Sequence, residues 1–159
     1  MRKLANLAAM VLWLGCQPAF GFDYERYQAT DLDALLTQSR PRSGLDLHGT
    51  RPLKLRVTLV AYGESCETFS LKTSLKMAGV VVDEQHPVTR CITVRSAKGR
   101  DLRMFIQDVV ADFLPKEVPL GGQVMLFAIH VYSTPEGPGL LVNEFSTDAG
   151  SDPAAGAKL

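Results

Sequence analysis

The sequence predicts a mainly β domain: a small barrel or sandwich of five to seven strands, with one short helix between strands and another near the N-terminus. Three stretches carry this expectation. Leu53, Leu55, Val57, Leu59 and Ala61 alternate with Lys54, Arg56 and Thr58, the period-two signature of a half-buried strand. Leu102, Met104 and Ile106 alternate with Arg103, Phe105 and Gln107 after a lysine-glycine turn suited to a hairpin. Val124 to Val131 is almost continuously apolar, as a strand covered on both faces must be.

The chain opens with Met1-Arg2-Lys3 and an apolar run from Leu4 to Leu14, followed by Gly15, Gln17, Pro18 and a small-x-small site at Ala19-Phe20-Gly21. The run is too short for a span of ~20 apolar residues and lacks the polar stripe of an amphipathic core helix. It is read as a signal peptide over residues 1–21, cleaved after Gly21, which makes the protein periplasmic or secreted. Leu14-Gly15-Cys16 partly resembles a lipobox, although Trp13 and Leu14 depart from its usual residues. Lipidation of Cys16 is the alternative, and it is the one route by which a membrane tether is expected.

If Cys16 leaves with the leader, Cys66 and Cys91 remain as an even pair in a compartment where disulfides persist. A bridge between them is expected, with two buried free thiols as the alternative. Lys and Arg together number 17, as do Asp and Glu, and removing Arg2 and Lys3 leaves the rest slightly acidic without any basic run. Nucleic acid is therefore not an expected partner.

Residues 22–51 are read as an N-terminal helix and connector. Thr30 or Asp31 caps a helix carrying Leu32, Leu35 and Leu36, and Leu45 to Arg51 connects onward, punctuated by Gly49 and Pro52. Residues 52–146 form the barrel domain. After the Leu53 strand, Gly63-Glu64 is expected to turn the chain. Phe69, Leu71, Thr73, Leu75 and Met77 then alternate with polar residues as a second strand, Val80 to Val82 adds a short one, and Asp83 to Pro87 loops. Val88 to Arg95 and Leu102 to Gln107 are the hairpin arms. Asp108 stands as N-cap of a helix with Val109, Val110, Phe113 and Leu114 on its apolar side, closed by Pro115. Pro135 to Gly139 reverses the chain into a last strand, Leu140 to Phe145, and residues 147–159 are a disordered tail.

The hairpin through Gly99, the helix between strands and the glycine-led run Gly121-Gly122-Gln123-Val124-Met125-Leu126-Phe127 together resemble an OB-fold, a small Greek-key barrel in which a helix joins the third and fourth strands. The resemblance covers Leu53 to Phe145, with Ser65 to Pro87 as an extra segment between the first two barrel strands. It implies that the hairpin strands form the binding face.

No catalytic constellation emerges. His48 and His86 sit in separate polar loops and His130 in an apolar strand, so no metal site is expected. Gly63-Glu64-Ser65-Cys66-Glu67 lacks the second glycine of a nucleophile elbow. Gly121-Gly122 opens a strand, not a phosphate-binding helix. Asp31 with Asp33, and Asp108 with Asp112, are accounted for by helix capping and a solvated helix face. No catalytic residue and no cofactor is expected.

The candidate site is a surface. If Met104 and Ile106 face inward, then Arg103, Phe105 and Gln107 face outward beside Thr93 and Arg95, and a phenylalanine flanked by arginines suits stacking or cation-π contact. Phe105 is equally suited to being covered by the Leu32 helix or by the Ser65 to Pro87 segment. The expected function is a non-enzymatic module recognising a protein or peptide partner in the cell envelope. A small-ligand or oligosaccharide binder is the alternative.

Overall fold

A computed structural model describes residues 22–80 and 86–147, without the side chain of residue 48. The expected leader and its cleavage site, Cys16, the segment 81–85 and the tail from 148 onward lie outside the described residues.

Six strands make one mixed sheet that closes on itself. They are β1 (Gln28–Thr30), β2 (Asp46–Ser65), β3 (Arg90–Arg95), β4 (Asp101–Ile106), β5 (Gln123–Thr134) and β6 (Gly137–Ser146). The ring runs β2-β3-β4-β6-β5 and back to β2, every pairing antiparallel except β4 with β6, which is parallel at Phe105↔Leu141 and Ile106↔Val142. A five-stranded ring of this order, with a helix between its third and fourth strands, is an OB-like barrel. Closure leaves the ring strands few unpaired edges.

The long β2 serves three neighbours. Its Leu53–Leu55 stretch takes β1 in parallel, Thr58–Ser65 takes β3, and Asp46–Thr58 takes β5. Two of the turns expected from sequence are bends within this strand. The expected connector Leu45 to Arg51 is, from Asp46 onward, its first part, where Gly49 at φ 58° sits inside a register break between Leu47 and Arg51. A glycine at positive φ is a bulge residue, which bends a strand without ending it. Gly63, read as a turn, lies at a second irregularity between Ala61 and Glu64, where an added Cβ would stand 3.1 Å from Ala111 Cβ. Its missing side chain lets a helix approach.

Among the described residues three α-helices dress the barrel: α1 (Leu32–Gln38), α2 (Phe69–Met77) and α3 (Asp108–Glu117). Leu32, Leu35 and Leu36 of α1 and Val110, Ala111 and Leu114 of α3 join the interior residues Leu55, Val57, Leu59, Ile92, Val94, Met104, Ile106, Leu126 and Val142 in one core. Asp31 caps α1, accepting from the Asp33 amide at 3.0 Å. α1 sits by the β3–β4 turn and α3 by the opposite end.

The structure corrects two helix expectations. Phe69 to Met77, read as a strand, is α2, because Phe69-Thr73-Met77 and Leu71-Leu75 are two interleaved ladders of spacing four. Spacing four satisfies period two and a helix face alike, and leucine, lysine and methionine favour the helix. In α3 the N-cap is Gln107, Asp108 is already helical, and Pro115 lies inside the last turn instead of closing it. Ala111 is buried where Val109 and Phe113 were expected, and those two are exposed.

The two-faced β5 has two outer covers. Its interior side is Val124, Leu126, Ala128 and His130, all buried. Outside, Phe127 meets the rings of Phe22, Tyr24 and Tyr27 at 5.7, 4.7 and 5.5 Å. Edge-on aromatic contacts of this kind fix the entering chain. Burial, and then Glu144, push the Tyr24 phenol above its ordinary pKa. Farther along, Val131 and Tyr132 pack with Leu71 and Leu75 of α2, and with Val88 and Leu141.

The last hairpin is tighter than the sequence suggests. Thr134 pairs with Gly137, so only Pro135 and Glu136 turn, and β6 starts at Gly137 instead of Leu140. Tyr132 lies directly opposite Gly139, and its ring occupies the space where a Cβ on Gly139 would project. Gly139→Ala is therefore expected to displace that ring and destabilise the fold by about 2 kcal/mol, read as a lower denaturation midpoint with an unchanged slope.

Candidate interaction face

The hairpin register builds the face. Arg95 lies opposite Asp101, Thr93 opposite Arg103, and Cys91 opposite Phe105. Residues directly opposite share a face, and Ile92, Val94, Met104 and Ile106 take the interior, so these three pairs step down the outside from the β3–β4 turn. The steps grade from charged to apolar.

At the first step Arg95 holds Asp101 by two parallel bonds, Nε to Oδ1 at 2.6 Å and Nη2 to Oδ2 at 2.9 Å. That pairing lowers the Asp101 carboxyl and raises the Arg95 guanidinium. At the second step Arg103 Nη2 donates to Glu64 Oε1 at 3.1 Å and to the Ser65 carbonyl at 3.4 Å. The two arginine side chains are about half exposed, at 48% and 52%. Ion pairs this exposed are worth about 0–1 kcal/mol. Each arginine is thus held in place by a partner that it can give up at little cost.

The third step is floored by the disulfide. Cys66 and Cys91 are bonded at a Cα–Cα distance of 5.7 Å, which ties the start of the α2 segment to β3. Neither sulfur is therefore a free thiol. Phe105 faces outward, as alternation requires, but is only partly exposed: it packs on the cluster of Leu71, Leu75, Val88, Val131, Tyr132 and Leu141. The α2 segment covers this end of the face and leaves the arginine end open.

Gln107 stands apart from that strip. Its Nε2 donates to Asn143 Oδ1 at 3.2 Å, and Asn143 Nδ2 donates to the Tyr27 hydroxyl at 3.3 Å. The structure thus brings Thr93, Arg95 and Arg103 together, places Phe105 at the covered edge, and gives Gln107 to the network beneath the N-terminal aromatic residues.

Behind the face lies a polar centre built on Asp33, for which helix capping is the expectation from sequence. Asp33 is 2% exposed. Its carboxylate accepts from Ser96 Oγ at 2.8 Å, the Lys98 amide at 2.9 Å and Arg100 Nε at 2.9 Å, while Arg100 Nη2 donates to the Asp33 backbone carbonyl at 2.5 Å and stands 2.8 Å from the carboxylate. Desolvation pulls the carboxyl upward, but the bonds from Ser96, Arg100 and Lys98 outweigh it and hold its pKa below the ordinary value. Asp33 locks α1 to the turn that presents Arg95 and Asp101.

A second acid works at the other end. Asp108 accepts from the Thr89 amide at 2.9 Å and the Thr89 hydroxyl at 2.7 Å, while Arg90 reaches Asp112 at 2.9 Å. Burial raises the Asp108 carboxyl, yet Thr89 and Arg90 bring it below its ordinary value. His130 Nε2 lies 3.0 Å from Ser133 Oγ inside the barrel. Among the described residues no three His, Cys, Asp or Glu side chains converge as a metal site would need.

Fold and face together define a disulfide-pinned OB-like barrel with an arginine-bearing outer strip. Compared with family models, with curated proteins and with solved structures, the chain matches none.

Proposed function

We propose that this chain is an exported, non-enzymatic binding module that recognises a protein or peptide partner in the cell envelope through the outer face of β3 and β4. One observation carries the reading: Arg95 and Arg103 stand two positions apart along the ladder, oriented by exposed acids that water and a partner's carboxylate can replace. Arginine in such a setting is an anchor for carboxylates, which it meets with two parallel bonds. Thr93, opposite Arg103 and two residues before Arg95, adds a hydroxyl. The leader-like N-terminus and the Cys66–Cys91 bridge, compatible with an oxidising compartment, support export.

The test is capture from an envelope extract by the wild type and by Arg95→Glu/Arg103→Glu. Both side chains are exposed, so the double variant is expected to melt within a few degrees of wild type. Its yield of captured partner is expected to fall roughly tenfold or more. Equal capture by the two proteins overturns the assignment of this face.

A further inference from the structure

We propose that the outer face of α2 docks on an anionic lipid surface. The helix has a buried side and an exposed side that carries apolar tips among lysines. Leu71, Ser74 and Leu75 are buried against the barrel. Phe69, Lys72, Thr73, Lys76 and Met77 recur at spacings of three and four, and so share the opposite side. Phe69 and Met77 are the most exposed large apolar side chains among the described residues, at 72% and 64%.

Charge identifies what covers this side. From Thr68 to Val80 there are two lysines and no acid. No ion pair among the described residues engages Lys72 or Lys76. The nearest acid in sequence, Glu67, is turned to the Phe69 amide at the start of the helix. Apolar tips flanked by free ammonium groups match the boundary between acyl chains and anionic headgroups. The exposed pair on α3 contrasts with this: Lys116 lies over the Phe113 ring at 4.5 Å, and Asp112 and Glu117 share that helix. That side has no net attraction for anions.

Anchorage suits the task. The disulfide at Cys66 lies three residues before Phe69, and Leu71 and Leu75 hold the other side. The docking side is therefore presented without an ordering cost at contact.

The test is co-sedimentation with vesicles of phosphatidylethanolamine and phosphatidylglycerol, against vesicles of phosphatidylcholine alone. All proteins carry Cys16→Ser, so that an acyl chain at that position contributes nothing. The parent is expected to bind the anionic vesicles selectively and to weaken with salt. A basic side chain near an anionic surface is worth about fivefold in partitioning, so Lys72→Gln/Lys76→Gln should lower it roughly 25-fold. Phe69→Ser/Met77→Ser should lower it roughly tenfold. All four positions are exposed, so thermal melts should match the parent. Absent binding, equal binding to phosphatidylcholine, undiminished binding by both variants, or a protein captured through α2 without any vesicle binding each overturns the proposal.

Discussion

Asp33→Ala is expected to lower the melting temperature by on the order of 10 °C. The carboxylate is the shared acceptor for Ser96, Lys98 and Arg100, which come from a turn more than sixty residues away. Removing it leaves the Arg100 guanidinium half-covered without its anion, and leaves α1 held by its leucines and by the Arg100 bond to the backbone carbonyl of position 33. Arg95 and Asp101 flank this turn, so partner capture is expected to weaken in the same variant. The pH dependence has a definite sign. Because the folded Asp33 pKa lies below the unfolded value of about 4, its stabilisation is complete above that value and is lost as pH falls through the folded one. Wild type should therefore lose melting temperature below about pH 4, and Asp33→Asn should show a flatter acid limb. Parallel limbs would show that Asp33 contributes nothing through its charge.

Cys66→Ser/Cys91→Ser is expected to destabilise the fold by about 3 kcal/mol, since the bridge closes a long loop; the two residues are 25 apart in sequence. The loss should be uneven. The barrel keeps every strand pairing, whereas α2 retains only Leu71 and Leu75 on the outer cluster. Amide exchange should accelerate most over Phe69–Met77 and on Val131 and Tyr132 beneath it, and least on Leu126 and Met104. A uniform acceleration would mean that α2 and the barrel open as one unit.

The sequence makes the barrel readable where a side chain's burial is set by its own strand. Met104 and Ile106 alternate against Arg103 and Phe105 because only one side of β4 faces the interior, and Val124 to Val131 is apolar because both sides of β5 are covered. Neither pattern says what covers the outside. Phe105 illustrates the limit: alternation places it outward, but an outer cluster drawn from several segments, with Leu71 and Leu75 of α2 beside Val88, Val131, Tyr132 and Leu141, makes it half-buried. The helix bearing those leucines was itself hidden, since a repeat of four fits both a strand and a helix. The preference of leucine, lysine and methionine for helix was the usable signal.

Gly49 and Gly63 misled in another way. A glycine punctuates a turn or a bulge with equal ease, and the long-range pairing with β5 or β3 decides which. The Asp33 centre is not legible in the sequence. An acid in the first turn of a helix is satisfied locally in most sequences, and nothing near it announces partners at Ser96 and Arg100. The arginines, by contrast, were legible because Thr93, Arg95 and Arg103 owe their shared side to hairpin register alone.

The most direct test of the proposed binding face is a photo-crosslinking side chain placed at Thr93, opposite Arg103 and two residues before Arg95, compared with the same group at Val109 on the outer side of α3. Both positions tolerate a change of side chain, Thr93 being half-exposed and Val109 exposed. Irradiation in the native envelope is predicted to yield a discrete adduct from Thr93 and none from Val109, with the Thr93 adduct lost on adding Arg95→Glu/Arg103→Glu. Adducts from Val109 alone, or from both positions alike and indifferent to the arginines, would contradict recognition through β3 and β4.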